Sequence, residues 1–187
     1  MTVFRDLSQH ILDIAENGIQ AGATVLHIKI TEDLSPEQDT LTIAIQDNGR
    51  GMDALALARV TDPWFTTRTT RKVGLGIPFF RQTAEMCEGR FEIFSTVGQG
   101  TLTQATFRHS HIDRPPLGDV GGTILCLIVG FPDGDVVYCH DVNEKSFMLN
   151  THEIRQVLGD DIPFSDPEVL TFLRQTLEEG EQSLAMH

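Results

Sequence analysis

The feature that most constrains the fold of this chain is the run at residues 47–52, Asp-Asn-Gly-Arg-Gly-Met, which follows an alternating segment. In residues 41–45 the odd positions are apolar, which is the period of a strand with one buried face. A strand that ends at Asp47 brings a carboxylate into a loop. Gly49 and Gly51 then permit a sharp turn and a close approach to the backbone. The run also fits an ordinary hairpin turn, because Asn-Gly is a common turn pair.

Composition and charge limit the classes of protein that this chain can belong to. Its 187 residues, 40% hydrophobic and 22% charged, suit one globular domain of ordinary size or one domain with a small appendage. A net charge of -13 argues against general nucleic-acid binding, although one local cationic or dipolar site could still hold a nucleotide. No apolar run approaches the ~18 residues that span a membrane. The first residues have no signal-peptide pattern, and three dispersed cysteines suggest reduced, mostly buried thiols in a cytoplasmic protein.

The first predicted element is an amphipathic helix over residues 4–20. An apolar stripe and a polar face both recur at helical spacing, the stripe at Leu7, Ile11, Ile14 and Gly18, and the face at Asp6, His10, Asp13 and Asn17. A solvated face explains such a polar set. However, the face is short, lacks a basic partner one turn away, and contains an asparagine, which disfavours helix interiors.

Alternating segments after this helix predict two antiparallel pairs of strands. Residues 25–31 and 41–46 form the first pair, and residues 90–95 and 101–108 form the second, joined at a Val-Gly-Gln-Gly turn. Between the pairs, Asp53 caps a predicted short helix over residues 54–60 that packs Leu55 and Leu57. This order predicts an α/β two-layer sandwich, with a mixed, mainly antiparallel sheet covered by helices on one face.

Residues 64–78 combine a basic loop with a glycine-rich helix start. Residues 64–73 are basic and rich in hydroxyl groups, which fits a mobile loop that meets an anion and equally fits a plain solvated loop. Gly74-Leu75-Gly76 then opens a helix, whose free N–H groups and dipole form an anion site. The dinucleotide fingerprint is absent because Phe79 stands where a third glycine is needed, and the sequence has no Walker-type loop.

The remaining residues predict a smaller unit that extends the main sheet. After a polar connection with His109 and His111, which lack a third metal ligand nearby, residues 123–130 are predicted to form an apolar strand. Residues 136–140 and 146–149 are two further predicted strands. Capping signals at 150–153 and 165–168 predict two helices. We therefore expect a main domain over 1–108, a connection over 109–122, and a β-hairpin and helix extension of unknown role over 123–187.

Three motifs occur in the order and spacing of a known superfamily. Glu16-Asn17, residues 47–52 and residues 74–77 resemble the N, G1 and G2 boxes of the GHKL ATPases, which include sensor histidine kinases, DNA gyrase B and mismatch-repair ATPases. The earlier part is more similar to the mismatch-repair proteins, and the part from residue 62 to 101 is closer to histidine kinases. The likeness covers residues ~5 to 108 and implies the histidine-kinase-like ATPase fold with ATP and Mg²⁺ as cofactors.

The resemblance also implies roles for individual residues around the adenine base. Asp47 would accept a hydrogen bond from the adenine amino group, and Thr101 would complete the pocket with its hydroxyl group. Gly49 and Gly51 would let the backbone lie against the base. Met52, the last residue of the G1 box, is a further candidate for nucleotide binding.

A second group of implied roles concerns the phosphates. Asn17 corresponds to the magnesium ligand of the family, and Gly74, Leu75 and Gly76 would offer backbone N–H groups to the phosphates. Arg68 would replace the lysine of the family's lid near the terminal phosphate.

Some residues depart from the family pattern. Asp13, four residues before Asn17, stands where the hydrolytic and serine-kinase branches have a glutamate that activates water or a hydroxyl group, and it is one methylene shorter. Pro78 removes one N–H donor beside the phosphates. We expect no phosphoacceptor hairpin ahead of the N box, and His10 lies within the N-box helix.

These features predict a Mg-ATP-binding histidine-kinase-like ATPase or protein kinase that acts on the γ-phosphate in bacterial-type signalling, with Asp13 as the catalytic residue. The alternative is a non-catalytic, ATP-gated interaction switch of the anti-sigma-factor type, in which ATP orders a lid at 62–73. The expected partners are ATP and an unidentified protein, without nucleic acid or membrane, and a homodimer is left open. The expected location is cytoplasmic.

Overall fold

The computed structural model describes residues 5–60, 76–159 and 162–185. Within these ranges, alternation of apolar side chains produces six strands: β1 (Val25–Asp33), β2 (Thr40–Asp47), β3 (Arg90–Thr96), β4 (Gly100–Arg108), β5 (Asp135–Val142) and β6 (Lys145–Asn150). The same ranges contain six helices: α1 (Leu7–Gln20), α2 (Ala54–Val60), α3 (Gly76–Met86), α4 (Val120–Gly130), α5 (Thr151–Leu158) and α6 (Pro167–Ala185).

The strands form one mixed sheet in the order β3-β4-β2-β1-β5-β6. Four of the five pairings are antiparallel, including the predicted β1–β2 and β3–β4 pairs, and β5 lies parallel to β1. The sequence thus predicted correctly a mixed, mainly antiparallel sheet. Its register places Asp47 at the end of β2 directly opposite Thr101 in β4.

One face of the sheet carries the core. Alternate residues of the central strands are fully buried, among them Ile28, Ile43 and Phe107, whereas their neighbours His27 and Lys29 face outward and are exposed. Helices α1, α3, α4 and α6 pack against the buried face or against one another. The two-layer α/β architecture that the sequence predicts is confirmed.

The predicted strand over residues 123–130 is wrong, because these residues form most of α4. A short apolar run rich in β-branched residues does not distinguish a buried strand from a buried helix. Here Asp119 decides the outcome, since its carboxylate accepts the Gly122 N–H at 2.8 Å and caps the first turn. The resulting helix contacts α1, β5 and α6.

The last part of the chain joins the main sheet through β5 and β6. The predicted helix starts are confirmed: the Asn150 side chain accepts the His152 N–H at 3.0 Å, and Asp166 accepts the Glu168 N–H at 2.9 Å. The division of the chain into domains stays a prediction. In the part of the chain that the structure describes, no helix combines the length and the apolar character needed to cross a bilayer.

Smaller differences from the sequence predictions have local causes. Helix α1 begins at Leu7, and Asp6 is its cap rather than part of a polar face, because its carboxylate accepts the Gln9 N–H. Helix α2 has the predicted bounds, but Leu55 is 63% exposed. Cys126 is exposed on α4 rather than buried. The predicted lid at 62–73 lies outside the described residues.

Candidate functional site

Asp47 lies where three elements meet, at the end of β2. Its carboxylate accepts the Gly49 N–H at 2.8 Å and a backbone hydrogen bond from Thr101. Gly18 of α1 lies against this side chain so closely that an added Cβ would stand 2.8 Å from the Asp47 Cβ. Burial raises the pKa of the Asp47 carboxyl group, although the two backbone donors act in the opposite direction. The result is a half-buried acceptor held in one orientation.

Asn48 fastens this turn to the start of β1, a role that the sequence analysis missed. Its side-chain oxygen accepts the backbone N–H groups of Thr24 and Val25 at 2.8 and 2.9 Å, and its amide donates to the Thr24 hydroxyl at 2.8 Å. Two further backbone bonds hold the turn, from the Arg50 N–H to the Ala21 carbonyl and from the Gly98 N–H to the Arg50 carbonyl. Asn48 therefore positions the neighbouring Asp47 without itself being a predicted ligand.

Ser95 is a second residue that the sequence analysis missed. Its hydroxyl accepts the Met52 N–H at 2.8 Å, lies 2.9 Å from the Thr101 hydroxyl and 3.0 Å from the Gly100 carbonyl. It joins the G1 turn to the start of β4. The sequence could have indicated this residue, because Ser95 is polar and lies on the same face of β3 as the apolar Phe91 and Ile93.

Two glycines make the close approach between the G1 turn and the β3–β4 turn possible. Gly51 has φ +62° and Gly100 has φ +95°, a region that side chains disfavour. A Cβ at Gly51 would overlap the Thr96 carbonyl, and one at Gly100 would overlap the Asp47 carbonyl. This backbone packing brings Asp47, Gly49, Gly51, Met52 and Thr101 together at one end of the sheet.

Helix α1 carries the predicted catalytic residue, Asp13, and the predicted magnesium ligand, Asn17. The Asn17 amide nitrogen lies 3.4 Å from an oxygen of Asp13, one turn away, so the amide oxygen of Asn17 points away from that carboxylate. Burial raises the pKa of the Asp13 carboxyl group, and the Asn17 hydrogen bond partly offsets this effect. A raised pKa makes Asp13 a stronger proton acceptor than an exposed aspartate.

The start of α3 packs directly on this pair. A Cβ at Gly76 would overlap the Asp13 carboxylate, so any larger residue at this position would have to displace that side chain. Beside this contact, His10 stacks on Phe80 with 5.1 Å between ring centroids. His10 is buried rather than solvated, and burial lowers its pKa to about 4, so that the imidazole is neutral near pH 7.

The structure therefore brings eight of the predicted site residues to one end of the molecule, in two adjoining groups. The turn group contains Asp47, Gly49, Gly51, Met52 and Thr101, and the α1–α3 group contains Asp13, Asn17 and Gly76. Three others, Arg68, Gly74 and Leu75, lie outside the described residues. The ligand-binding and catalytic roles of all eleven stay predictions.

The side chains at this site are of the kinds that bind a nucleotide together with a magnesium ion. Among the described residues, no group of three His, Cys, Asp or Glu side chains could hold a metal ion. Mg²⁺ is commonly held by one or two protein oxygens together with phosphate oxygens and water. The Asn17 amide oxygen, on the same helix as Asp13, is the group predicted to serve as such a ligand.

Comparison with known proteins settles the family. Residues 2–111 match the family described as histidine kinase-, DNA gyrase B- and HSP90-like ATPases. The chain belongs to this ATPase family. It therefore carries an ATP-binding domain of the histidine-kinase type, as the three sequence motifs predict.

Several of the relatives are named as sensor proteins or sensor kinases. A putative sensor protein of Shewanella frigidimarina is 33% identical over 104 residues, which is 55% of this chain and 16% of that protein. The sensor protein kinase FleS of Pseudomonas aeruginosa is 43% identical over 60 residues, 32% of this chain and 14% of the kinase. A probable C4-dicarboxylate sensor kinase of Bacillus subtilis is 33% identical over 97 residues, 51% of this chain and 18% of the kinase. The matched part spans about a sixth of the length of these relatives.

A solved structure supports the fold alone. The crystal structure of the N-terminal domain of a DNA repair protein superposes with a TM-score of 0.56 at 14% identity, covering 84% of this chain and 58% of that one.

Proposed function

We propose that this chain binds Mg-ATP and transfers the γ-phosphoryl group to a partner protein or to water, with Asp13 as the base. The observation that carries the proposal is the contact between the Asp13 carboxylate and the first residue of α3. A helix N-terminus attracts phosphate, so a terminal phosphate bound there would lie beside the carboxylate. The raised pKa of Asp13 suits proton abstraction.

The remaining site residues have roles that follow from their positions. Asp47 accepts from the adenine amino group, and the Thr101 hydroxyl, held by Ser95, completes the pocket. Asn17 holds Mg²⁺ through its amide oxygen, and the Gly76 N–H, with those of Gly74 and Leu75, meets the phosphates. The magnesium ion would neutralise phosphate charge.

The chemical step is a phosphoryl transfer. The attacking oxygen loses its proton to Asp13 and forms a bond to the γ-phosphorus, while the bond to the β–γ bridging oxygen breaks and ADP leaves. Near pH 7 the buried His10 is neutral and stacked on Phe80, so its part is to fix α1 against α3 rather than to accept the phosphoryl group.

The relatives support a signalling role for this reaction. They are named as sensor proteins and sensor kinases, and proteins of that kind pass signals to other proteins. A protein phosphoacceptor and a homodimer are accordingly part of the proposal. A cytoplasmic location belongs to it as well, because the three cysteines are free thiols and the reaction consumes ATP.

A second candidate function is an ATP-gated interaction switch without turnover. Two observations favour it: Asp13 is shorter than the glutamate of the hydrolytic branches, and Pro78 removes a donor from the first turn of α3. In this alternative, bound ATP changes a partner-binding surface and is not consumed.

The Asp13→Asn variant distinguishes the two functions. If the chain is an enzyme, phosphate release should fall by about 10²- to 10⁴-fold while ATP affinity stays within about twofold. The measurements are phosphate release and calorimetric ATP binding on the same samples. Glu37→Gln is the matched control, because it removes one exposed carboxylate from the β1–β2 loop and should change neither quantity.

Three results are informative. Loss of phosphate release in Asp13→Asn, but not in Glu37→Gln, supports the enzyme. Equal phosphate release by wild type and Asp13→Asn excludes Asp13 as the base. ATP binding by wild type without any phosphate release, alone or with partner, supports the switch.

A further inference from the structure

Helix α4 has no charged residue from Val120 to Gly130, and its one polar side chain is Thr123. Surface helices of globular proteins carry charged or polar residues on their outer face, and a helix that is apolar all round is normally buried. One side of α4 satisfies this rule, because Ile124, Leu127 and Ile128 are in the core. The opposite side is exposed at Gly122, Cys126 and Gly130. An uncharged outer face of this kind is typical of a helix that another surface covers.

The exposed side of α4 forms one wall of a groove of about 1000 Å³, and α6 forms the other wall. Leu125 contributes apolar surface to the groove, together with Val129, which is 39% exposed, and the buried Leu177 also lines it. The wall is about 16 Å long, since α4 has 11 residues and a helix rises 1.5 Å per residue. These dimensions match one face of a helix of three turns laid between α4 and α6.

Small residues recur along the outer face of α4 at a spacing of four, at Gly122, Cys126 and Gly130, so they lie in line on one side of the helix. Such a row lets a second helix backbone come close. The fold itself explains the glycine at residue 122, because an added Cβ would overlap the capping carboxylate of Asp119.

The described fold does not explain the glycine at residue 130 in this way. A Cβ there would meet nothing within 4 Å, and its φ is not in the left-handed region. Glycine is less favourable than alanine in a helix, although Gly130 is the last residue of α4, where this cost is smaller than in the interior. The described fold does not explain that cost, and close approach by another helix does.

The charges at the groove indicate what kind of helix it accepts. Asp119 and Glu178 lie at the groove, with Arg174 as the opposing cation, and the whole chain carries a net charge of -13. A third lining carboxylate, Glu181, is bound to His140 and Tyr138. Association is favoured when potentials are complementary and disfavoured between like charges. A second copy would bring the same acidic surface, whereas a cationic helix would meet an opposite charge.

We propose that the groove between α4 and α6 is a docking site for a cationic amphipathic helix of a partner protein. The apolar face of that helix lies on Leu125, Val129 and the row of small residues, and its basic residues lie toward Asp119 and Glu178. The site is separate from the nucleotide site, so its occupancy can be measured without ATP and independently of the proposed function.

The test uses a fluorescent, helix-patterned peptide of leucine and lysine, about 18 residues long, or five turns. Binding is measured by anisotropy against a scrambled peptide of the same composition and a leucine–glutamate peptide of the same pattern. Wild type should bind the patterned cationic peptide at least about tenfold more tightly than either control peptide. Binding should weaken as salt shortens the screening length below about 10 Å.

The decisive variant is Cys126→Arg, which places a cation in the middle of the groove and should weaken binding at least about tenfold. Cys126→Ser keeps the size of the side chain and should bind like wild type. Val157→Arg makes a similar change on α5 at a residue that is 86% exposed, and should also bind like wild type. If thermal melting shows that Cys126→Arg does not fold, Val129→Lys replaces it.

Three outcomes would overturn the proposal. The first is equal binding of the patterned and scrambled peptides, or no binding of either. The second is binding that Cys126→Arg or Val129→Lys does not change. The third is a wild-type dimer by light scattering that Cys126→Arg converts to a monomer, because the face would then be covered by a second copy.

Discussion

At the scale of single residues, the nucleotide site depends on side chains that hold other groups in place. Asp47 can present one orientation of its carboxylate because Gly49 and Thr101 donate backbone N–H groups to it. Asn48 in turn fastens the same turn to β1 through three hydrogen bonds. Preorganised groups of this kind lower the cost of ordering on binding.

Replacing Asn48 by alanine should therefore weaken ATP binding without removing any predicted ligand. Loss of its hydrogen bonds costs about 1 to 1.5 kcal/mol at a partly exposed position, and because the loosened turn must be ordered again when ATP binds, this cost corresponds to at most roughly tenfold in affinity. Asn48→Asp keeps the oxygen that accepts from Thr24 and Val25, so it should retain most of the affinity. Calorimetric titration with Mg-ATP measures both variants. Equal affinity of Asn48→Ala and wild type would show that the turn holds its shape without this side chain.

At the scale of elements, the site depends on how α3 starts against α1. Gly76 lets the first turn of α3 touch the Asp13 carboxylate, and the stack of His10 on Phe80 fixes the same pair of helices. The relative position of the predicted base and of the predicted phosphate donors is thus set by one close contact between two helices.

A methyl group at residue 76 should displace the Asp13 carboxylate from the start of α3. Gly76→Ala is expected to lower phosphate release more than about tenfold, because the added Cβ overlaps the Asp13 carboxylate and must displace it. Gly121→Ala is the matched control, since a Cβ there makes an ordinary contact of 3.7 Å with Leu177. Phosphate release and thermal melting should be measured on both proteins. Wild-type turnover by a stably folded Gly76→Ala would contradict the importance of this contact.

Most elements could be predicted from the sequence because their signals are local. Period-2 runs give the strands, and short motifs at 47–52 and 74–77 identify the family. The wrong prediction at α4 has a physical cause. Residues 123–130 are apolar on nearly every side of the helix, so no hydrophobic periodicity reveals it. The side that borders the groove with α6 also lacks the polar residues that normally mark the outer face of a helix. Ser95 and Asn48 were missed because their roles depend on contacts between segments distant in the chain.

At the scale of the whole molecule, a buried ionic network ties the last helix to the main sheet. His140 on β5 is bonded to Glu32 of β1 at 3.0 Å and to Glu181 of α6 at 2.9 Å, and Tyr138 also donates to Glu181 at 2.7 Å. Burial opposes the charged imidazole, but the two carboxylates outweigh it and raise the pKa of His140 to about 9.

This pKa predicts how the stability of the protein depends on pH. Because the folded value of about 9 lies above the usual 6.5, protonated His140 stabilises the fold fully below pH 6.5. The contribution is lost as pH rises toward 9, and it amounts to ~3 kcal/mol. His140→Gln should therefore lower the free energy of unfolding by about that amount near pH 6, and the difference should narrow above pH 8. Denaturant unfolding across this range gives the measurement.

His152→Gln provides the control for this prediction. The His152 side chain is 59% exposed and bonds to Asp135 at 3.2 Å, so its loss should cost less than about 1 kcal/mol at any pH. A His140→Gln deficit that does not change with pH would indicate lost packing rather than a lost charge.

The most direct test of the nucleotide site is calorimetric binding of Mg-ATP to wild type and to Asp47→Ala, with Asp113→Ala as a control at an exposed aspartate. Wild type and the control should bind in the micromolar range, and Asp47→Ala should lose at least about 100-fold because the adenine amino group loses its acceptor. Wild-type affinity in a folded Asp47→Ala protein, or no ATP binding by wild type, would contradict the assignment of this site.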